Sequence, residues 1–148
     1  MKLAARAIIT NDDSVLLVRH KNRDFFALPG GKINSNEDVR TGLVREIYEE
    51  LGTQAEIGPL LYVHEFRYPG GDLSLEFFFR IENPQDFNDN HKGELADVEL
   101  AEIRWIPFSE NFLVKPPFLK DMFPSASQRK NAEFISACPI SFSFPKTA

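Results

Sequence analysis

Residues 31–53 read GKINSNEDVRTGLVREIYEELGT, and the spacing inside this stretch decides how the rest of the chain is read. Val39, Leu43, Ile47 and Leu51 recur every four residues, which gives an α-helix one apolar stripe. Ser35 or Asn36 supplies a cap near its start, with Glu37 and Asp38 in the first turn facing the helix dipole. Gly52 fits the position just past a helix end, so the helix is predicted to stop at Leu51. Glu46, Glu49 and Glu50 stand at i, i+3 and i+4, within an arc of about 100°. In helical projection Glu46 and Glu50 fall beside Val39 and Leu43, at the margin of the apolar stripe, whereas a solvated charge run should point away from the core.

Like charges at this spacing cost roughly 0.2–0.5 kcal/mol, and Arg45 can pair at i, i+4 only with Glu49. A hard cation would offset the crowding, and oxygen ligands in this number suit Mg²⁺ or Mn²⁺ over zinc. The competing reading is an acidic helix face without a ligand, since glutamate is a good helix former. The surroundings weigh against it. Gly42 sits mid-helix at a cost of about 1 kcal/mol relative to alanine, and is expected to open space above the carboxylates. Pro29-Gly30-Gly31 forms a loop whose carbonyls and amides can approach a metal or a phosphate.

Outward from the helix, residues 3–9 and 15–19 are short apolar runs separated by the polar cluster 10–14, which reads as a β-hairpin. Phe25 to Leu28 forms a further short extended piece before the glycine loop. Residues 60–68 and 73–81 read as strands joined at Pro69-Gly70-Gly71-Asp72. In the second, Leu73, Leu75, Phe77, Phe79 and Ile81 alternate with Ser74, Glu76, Phe78 and Arg80, predicting one strongly apolar face. Residues 83–98 are polar and read as a mobile loop; Glu102 to Pro107 is a strand containing Trp105. Helical stretches from Ser109 to Cys138 are broken by Pro116, Pro117 and Pro124. Strands around a helix, followed by more of both, give a mixed α/β layer structure of the α+β type.

Gly31, Glu37, Arg45, Glu46, Ile47, Glu49, Glu50 and Gly52 follow the pattern G-x5-E-x7-R-E-U-x-E-E-x-G-U, where U is a bulky aliphatic residue. In this the stretch resembles the Nudix box. Only Thr53 departs, and it is β-branched and close in shape to the usual residue. The flanks Val15 to Arg19, Leu28 to Gly31 and Ile103 to Ile106 are similar to the family as well, so the likeness covers roughly residues 3–110.

The resemblance implies a Nudix fold, a mixed β-sheet sandwiched between α-helices, with residues 1–148 as a single domain and 124–148 left open as helix or tail. It implies a Mg²⁺-dependent pyrophosphohydrolase, with Mn²⁺ as an alternative ion, in which water attacks phosphorus in a nucleoside diphosphate linked to another moiety. By similarity Glu49 and Glu50 are the main metal ligands, Glu46 is a further ligand or the general base, and the Gly31 carbonyl is an additional ligand. Arg45 would orient Glu49 and the loop, and Glu37 would stabilise the loop–helix junction. Family members often take one more glutamate from outside the box; Glu99 is the first choice here, ahead of Glu94 and Glu102, against the alternative of a plain surface charge. A non-catalytic Nudix-fold module that binds a nucleotide or sugar nucleotide is the rival reading. Here, though, every carboxylate position is filled.

Composition narrows the partners. The net charge of −5 argues against a protein held on nucleic acid or membrane by a broad basic face. Much of that surplus is local: Glu37, Asp38, Glu46, Glu49 and Glu50 face only Arg40 and Arg45 on the same stretch. Cys138 is the only cysteine, which leaves no intrachain disulfide. There is no run of about 18 apolar residues, and Arg6 stands where a signal peptide would be apolar, so a soluble cytoplasmic protein is expected. Arg19 and Arg23, with His20 and Lys21, form a basic cluster that could receive phosphate or could decorate a solvated loop. Phe26 and its neighbour Phe25 could stack on a base or belong to the core. His64 is expected to be a hydrogen-bonded partner within its strand. Phe118, Phe123, Phe134, Phe142 and Phe144 could cover the core or a dimer mate, and a homodimer stays open.

Overall fold

The computed structural model describes residues 1–90, 92–122 and 141–143. Its first strand, β1 (Lys2–Ile8), is an interior strand of a five-stranded sheet because both of its edges find partners. On one side it pairs antiparallel with β3 (Gly30–Lys32), and on the other it pairs parallel with β5 (Leu73–Ile81). β4 (Ile57–Arg67) pairs antiparallel with β5 and carries β7 (Ser141–Ser143) on its outer edge, so the order is β3-β1-β5-β4-β7. β2 (Ser14–His20) and β6 (Leu100–Pro107) form a separate antiparallel pair, from Ser14 opposite Pro107 to Val18 opposite Ile103.

This arrangement corrects the expected hairpin. The turn exists: Asn11 Oδ1 accepts the Ser14 amide at 2.8 Å, and Thr10 bridges Val15. Beyond that bridge β1 has no free edge, so β2 leaves it and pairs with β6 instead. Val15 to Val18 are fully buried on both faces, as a strand packed between two layers requires.

The helix α1 (Val39–Leu51) starts later than Ser35 or Asn36 would place it. Asp38 is the cap: its carboxylate accepts the Thr41 amide at 2.8 Å, which leaves no acid in the first turn. The end is where the sequence puts it, with Gly52 left-handed at φ 66° and its amide donating to the Tyr48 carbonyl. Leu43 and Ile47 are fully buried and Leu51 nearly so, packed on Ala5, Ala7 and Phe79. Each such side chain stabilises the fold by about 1.5–3 kcal/mol. Gly42 opens no space: a Cβ there would lie 2.6 Å from Ile33 Cδ1 and 2.9 Å from Glu37 Oε1, so it lets the segment before α1 pack against the helix.

On the opposite face Ile8, Leu28, Leu61, Phe78, Val114 and Leu119 form a second core, covered by Phe112, Phe118 and the short α3 (Leu119–Met122). Because both faces of β5 are covered, its supposed polar face is buried too, with Ser74 at 2%, Glu76 at 8% and Phe78 at 0% exposure. Phe118 packs edge-on against Phe78 at 5.7 Å, covering this core. The side chains of Phe123, Phe134, Phe142 and Phe144, and Cys138, lie outside the described residues, as does all of 124–148 except the β7 backbone. No helix among the described residues is long and apolar enough to cross a membrane.

Candidate active site

The glycine loop brings backbone and carboxylates together. Gly30 has φ 130°, and its amide donates to Glu50 Oε2 at 3.2 Å. A Cβ at Gly31 would meet Glu46 Oε2 at 2.6 Å. At Gly31, therefore, β3 runs directly beneath the Glu46 carboxylate. From β1, Arg6 ties the loop down from the other side, its Nη1 donating to the Gly30 carbonyl at 3.0 Å and the Leu28 carbonyl at 3.4 Å.

Glu50 is 1% exposed, and among the described residues no lysine, arginine or histidine lies within ion-pair distance of it. Burial pushes its carboxyl up to about 8, partly opposed by the Gly30 amide and the Arg6 charge and reinforced by Glu46 and Glu99. Burial raises Glu46 as well, against the pull of Arg45. Arg45 is the hub: Nη1 donates to Glu46 at 3.1 Å and to Glu49 at 3.2 Å. Its Nε and Nη2 grip both oxygens of Glu37 at 3.0 and 2.7 Å, and Nη2 also reaches the Lys32 carbonyl.

That grip holds Glu37 down at about 2, with the Asn34 amide assisting. A carboxyl lowered on folding stabilises above its unfolded value, and the contribution fades as pH falls from 4.5 towards 2. Glu37→Gln should therefore melt below the wild type at neutral pH, and thermal melts should show the gap closing as the pH drops through that window.

All donors here are hard oxygens. Among the described residues no three carboxylate, imidazole or thiol groups already converge on one point, and Arg45 pairs with both Glu46 and Glu49. Glu50 is different. A buried carboxylate without a counter-charge is costly, and this one fits a divalent cation by both chemistry and need.

Glu99 ends α2 (Ala96–Glu99), and its charge is felt at Glu46 and Glu50. The segment before it, expected as a mobile loop, is docked on α1. The Gly93 amide donates to the Glu50 carbonyl at 3.0 Å and the Leu95 amide to the Glu49 carbonyl at 3.1 Å. These bonds satisfy carbonyls that a helix end leaves open. The Lys21 amide donates to the Glu99 carbonyl at 3.0 Å, and Lys21 Nζ donates to the Asp97 carbonyl.

The structure brings Gly31, Arg45, Glu46, Glu49 and Glu50 together, with Glu99 in their field. It does not bring Arg19, Arg23 or Phe26 to them. Arg19 pairs with Glu102 at 3.4 Å and donates to the Arg23 carbonyl. Arg23 stacks over Phe25. Phe26 packs edge-on against Phe112 in the second core.

Sequence reasoning missed a cavity of about 500 Å³ beside the glycine loop, walled by Arg6, Phe25, His64, Phe66, Glu76 and Phe78. Its signal was present as charges inside apolar strands, Arg6 in β1 and Glu76 in β5. His64 is not the hydrogen-bonded residue expected: it stacks on Phe66 at 5.3 Å, and among the described residues its buried Nδ1 has no partner.

Comparison with known proteins agrees with this architecture. The NUDIX domain family matches residues 1–126. An ADP-ribose pyrophosphatase of Methanocaldococcus jannaschii is 42% identical over 119 residues, covering 76% of this chain and 70% of the relative. Nudix hydrolase 2 of Arabidopsis thaliana is 26% identical over 93% of this chain, which spans 51% of the plant protein's length. Among solved structures, a MutT NUDIX hydrolase from Burkholderia pseudomallei superposes with a TM-score of 0.66 at 21% identity, covering 84% of this chain and 98% of that one. The glycine loop, the carboxylate-bearing helix and these matches together place the chain in the Nudix hydrolase family.

Proposed function

We propose that this chain is a divalent-cation-dependent pyrophosphohydrolase that cleaves a phosphoanhydride bond in a nucleoside diphosphate linked to another moiety. The observation that carries the proposal is Glu50, a buried carboxylate without a counter-charge, set beside Glu46 and Glu49 beneath the glycine loop. Glu49, Glu50 and the Gly31 carbonyl would hold Mg²⁺, or Mn²⁺ in its place. Bound there, the ion would neutralise phosphate oxygens that an acidic protein otherwise repels.

Arg45 keeps Glu46 and Glu49 on one edge of α1 while Glu37 anchors it to the loop. Glu46, raised by burial, would take a proton from water, and Glu99 is the second candidate for that role or for a further ligand. ADP-ribose heads the substrate candidates because the archaeal relative is named for it. A small-molecule substrate and a reducing, cytoplasmic setting complete the reading, supported by the acidic net charge and the lone cysteine.

The test is a substrate panel with Mg²⁺ or Mn²⁺, covering ADP-ribose, nucleoside triphosphates, dinucleoside polyphosphates and sugar nucleotides, followed by phosphate product. Turnover of at least one class is expected. Tight binding across the panel without turnover would favour a non-catalytic binding module instead.

A further inference from the structure

In the β4–β5 ladder His64 lies directly opposite Glu76. Side chains so placed share one face, with Cβ atoms about 4.5–5.5 Å apart, and both line the cavity. Its volume of about 500 Å³ is that of a small-ligand site, and the rings of Phe25, Phe66 and Phe78 suit a flat guest.

Two polar groups on this wall, Glu76 and His64, have unspent hydrogen-bonding capacity. Glu76 is 8% exposed; Arg6 stands 3.6 Å away, beyond hydrogen-bond length, and among the described residues no donor reaches the carboxylate. His64 lines the cavity and its Nδ1 is sealed in protein without a partner among the described residues, which leaves Nε2 as the ring nitrogen open to a guest. A proton on Nε2 avoids burying an unpaired N–H at Nδ1. The wall therefore presents a donor at His64 beside an acceptor at Glu76.

We propose that His64 and Glu76 read the base of the substrate and select rings in which an exocyclic amino group adjoins a ring nitrogen, as in adenine and cytosine. The amino group donates to Glu76 and the ring nitrogen accepts from His64. Uracil fits poorly, because its N–H is recessed between two carbonyls whose lone pairs face the carboxylate. The inference rests on the pyrophosphohydrolase reading and adds a substrate class to it. It also gives the base a physical link to the carboxylates, since Arg6 sits against Glu76 and holds Gly30, whose amide reaches Glu50.

The experiment uses the full chain and substrates matched except for the base: CTP against UTP, and ADP-ribose against its uridine analogue. Calorimetry of CMP against UMP, without divalent ion, runs beside it. The amino-bearing member should lead by about tenfold to a hundredfold, the scale of one well-made pair of base contacts. Glu76→Gln, which can donate as well as accept, should collapse that ratio, and His64→Phe, which keeps the ring and removes the donor, should narrow it. Equal rates in the wild type, or a Glu76→Gln variant that slows every substrate alike, would overturn the inference. The second result would mean that Glu76 acts only by bracing Arg6. If nothing is hydrolysed but CMP still outbinds UMP, the base reading stands and the hydrolase reading falls; if CMP and UMP bind alike, the base reading falls.

Discussion

Glu50→Gln is expected to lose activity and gain stability at once. The amide keeps the size of the carboxylate, and its oxygen can still accept from the Gly30 amide. What it removes is a carboxylate charge that the fold buries with only the Gly30 amide and the field of Arg6 to offset it. In the unfolded chain this carboxyl ionises near 4.5; in the folded chain it holds its proton up to about 8. Between those values the unfolded state binds fewer protons than the folded one, so stability falls as the pH rises.

Wild-type protein free of divalent ions should accordingly weaken from about pH 4.5 to about 8, and Glu50→Gln should lack that slope. By the upper end of the window the variant should be more stable on the order of a few kcal/mol, a rise in melting temperature of about 5–10 °C. Its turnover should drop by about a hundredfold to a thousandfold, the scale of losing one electrostatic group from a reacting centre. A variant that melts lower than wild type at every pH would show Glu50 to be an ordinary structural contact. Parallel melts and initial rates settle both halves.

Gly30→Ala is expected to be the most damaging single substitution on the structural side. A Cβ there would lie 2.1 Å from the Ala5 carbonyl oxygen, which is backbone and cannot swing away. At φ 130° an L side chain is also strained by its own backbone. Strain and overpacking together should cost about 2–5 kcal/mol, a large share of the ~5–15 kcal/mol that holds a domain of this kind together. Relief would need β3 to move off β1, which would take the Gly30 amide from Glu50. Denaturant titration should show the loss, and any folded fraction should turn over more slowly. A stable, fully active Gly30→Ala protein would mean that the loop is not the support described here.

The carboxylate edge was legible because a helix converts spacing into position, and Glu46, Glu49 and Glu50 cannot stand elsewhere on it once Leu43 and Ile47 face the core. The helix end was legible for a similar local reason at Gly52. Its start was not: Ser35, Asn36 and Asp38 can all cap, and only the packing that sets Thr41 over Asp38 selects between them. Strand partners were hidden for a different reason. The turn at Asn11 to Ser14 is written locally, but the pairing of β2 with β6 depends on residues far along the chain, as the Arg19–Glu102 contact shows. The cavity was least legible of all, because β1, the run to the glycine loop, the β4–β5 pair and Lys115 to Leu119 each supply only part of its wall. Its traces in the sequence were the charges of Arg6 and Glu76 inside apolar strands and the aromatic Phe25 ahead of the glycine loop.

The central claim, that this carboxylate edge hydrolyses a phosphoanhydride, is tested most directly by running the substrate panel with Mg²⁺ in heavy-oxygen water and weighing the products. The expected result is turnover with one heavy oxygen on a phosphate group of a product and none on the sugar carbon. No turnover across the panel, or label found on carbon, would contradict it.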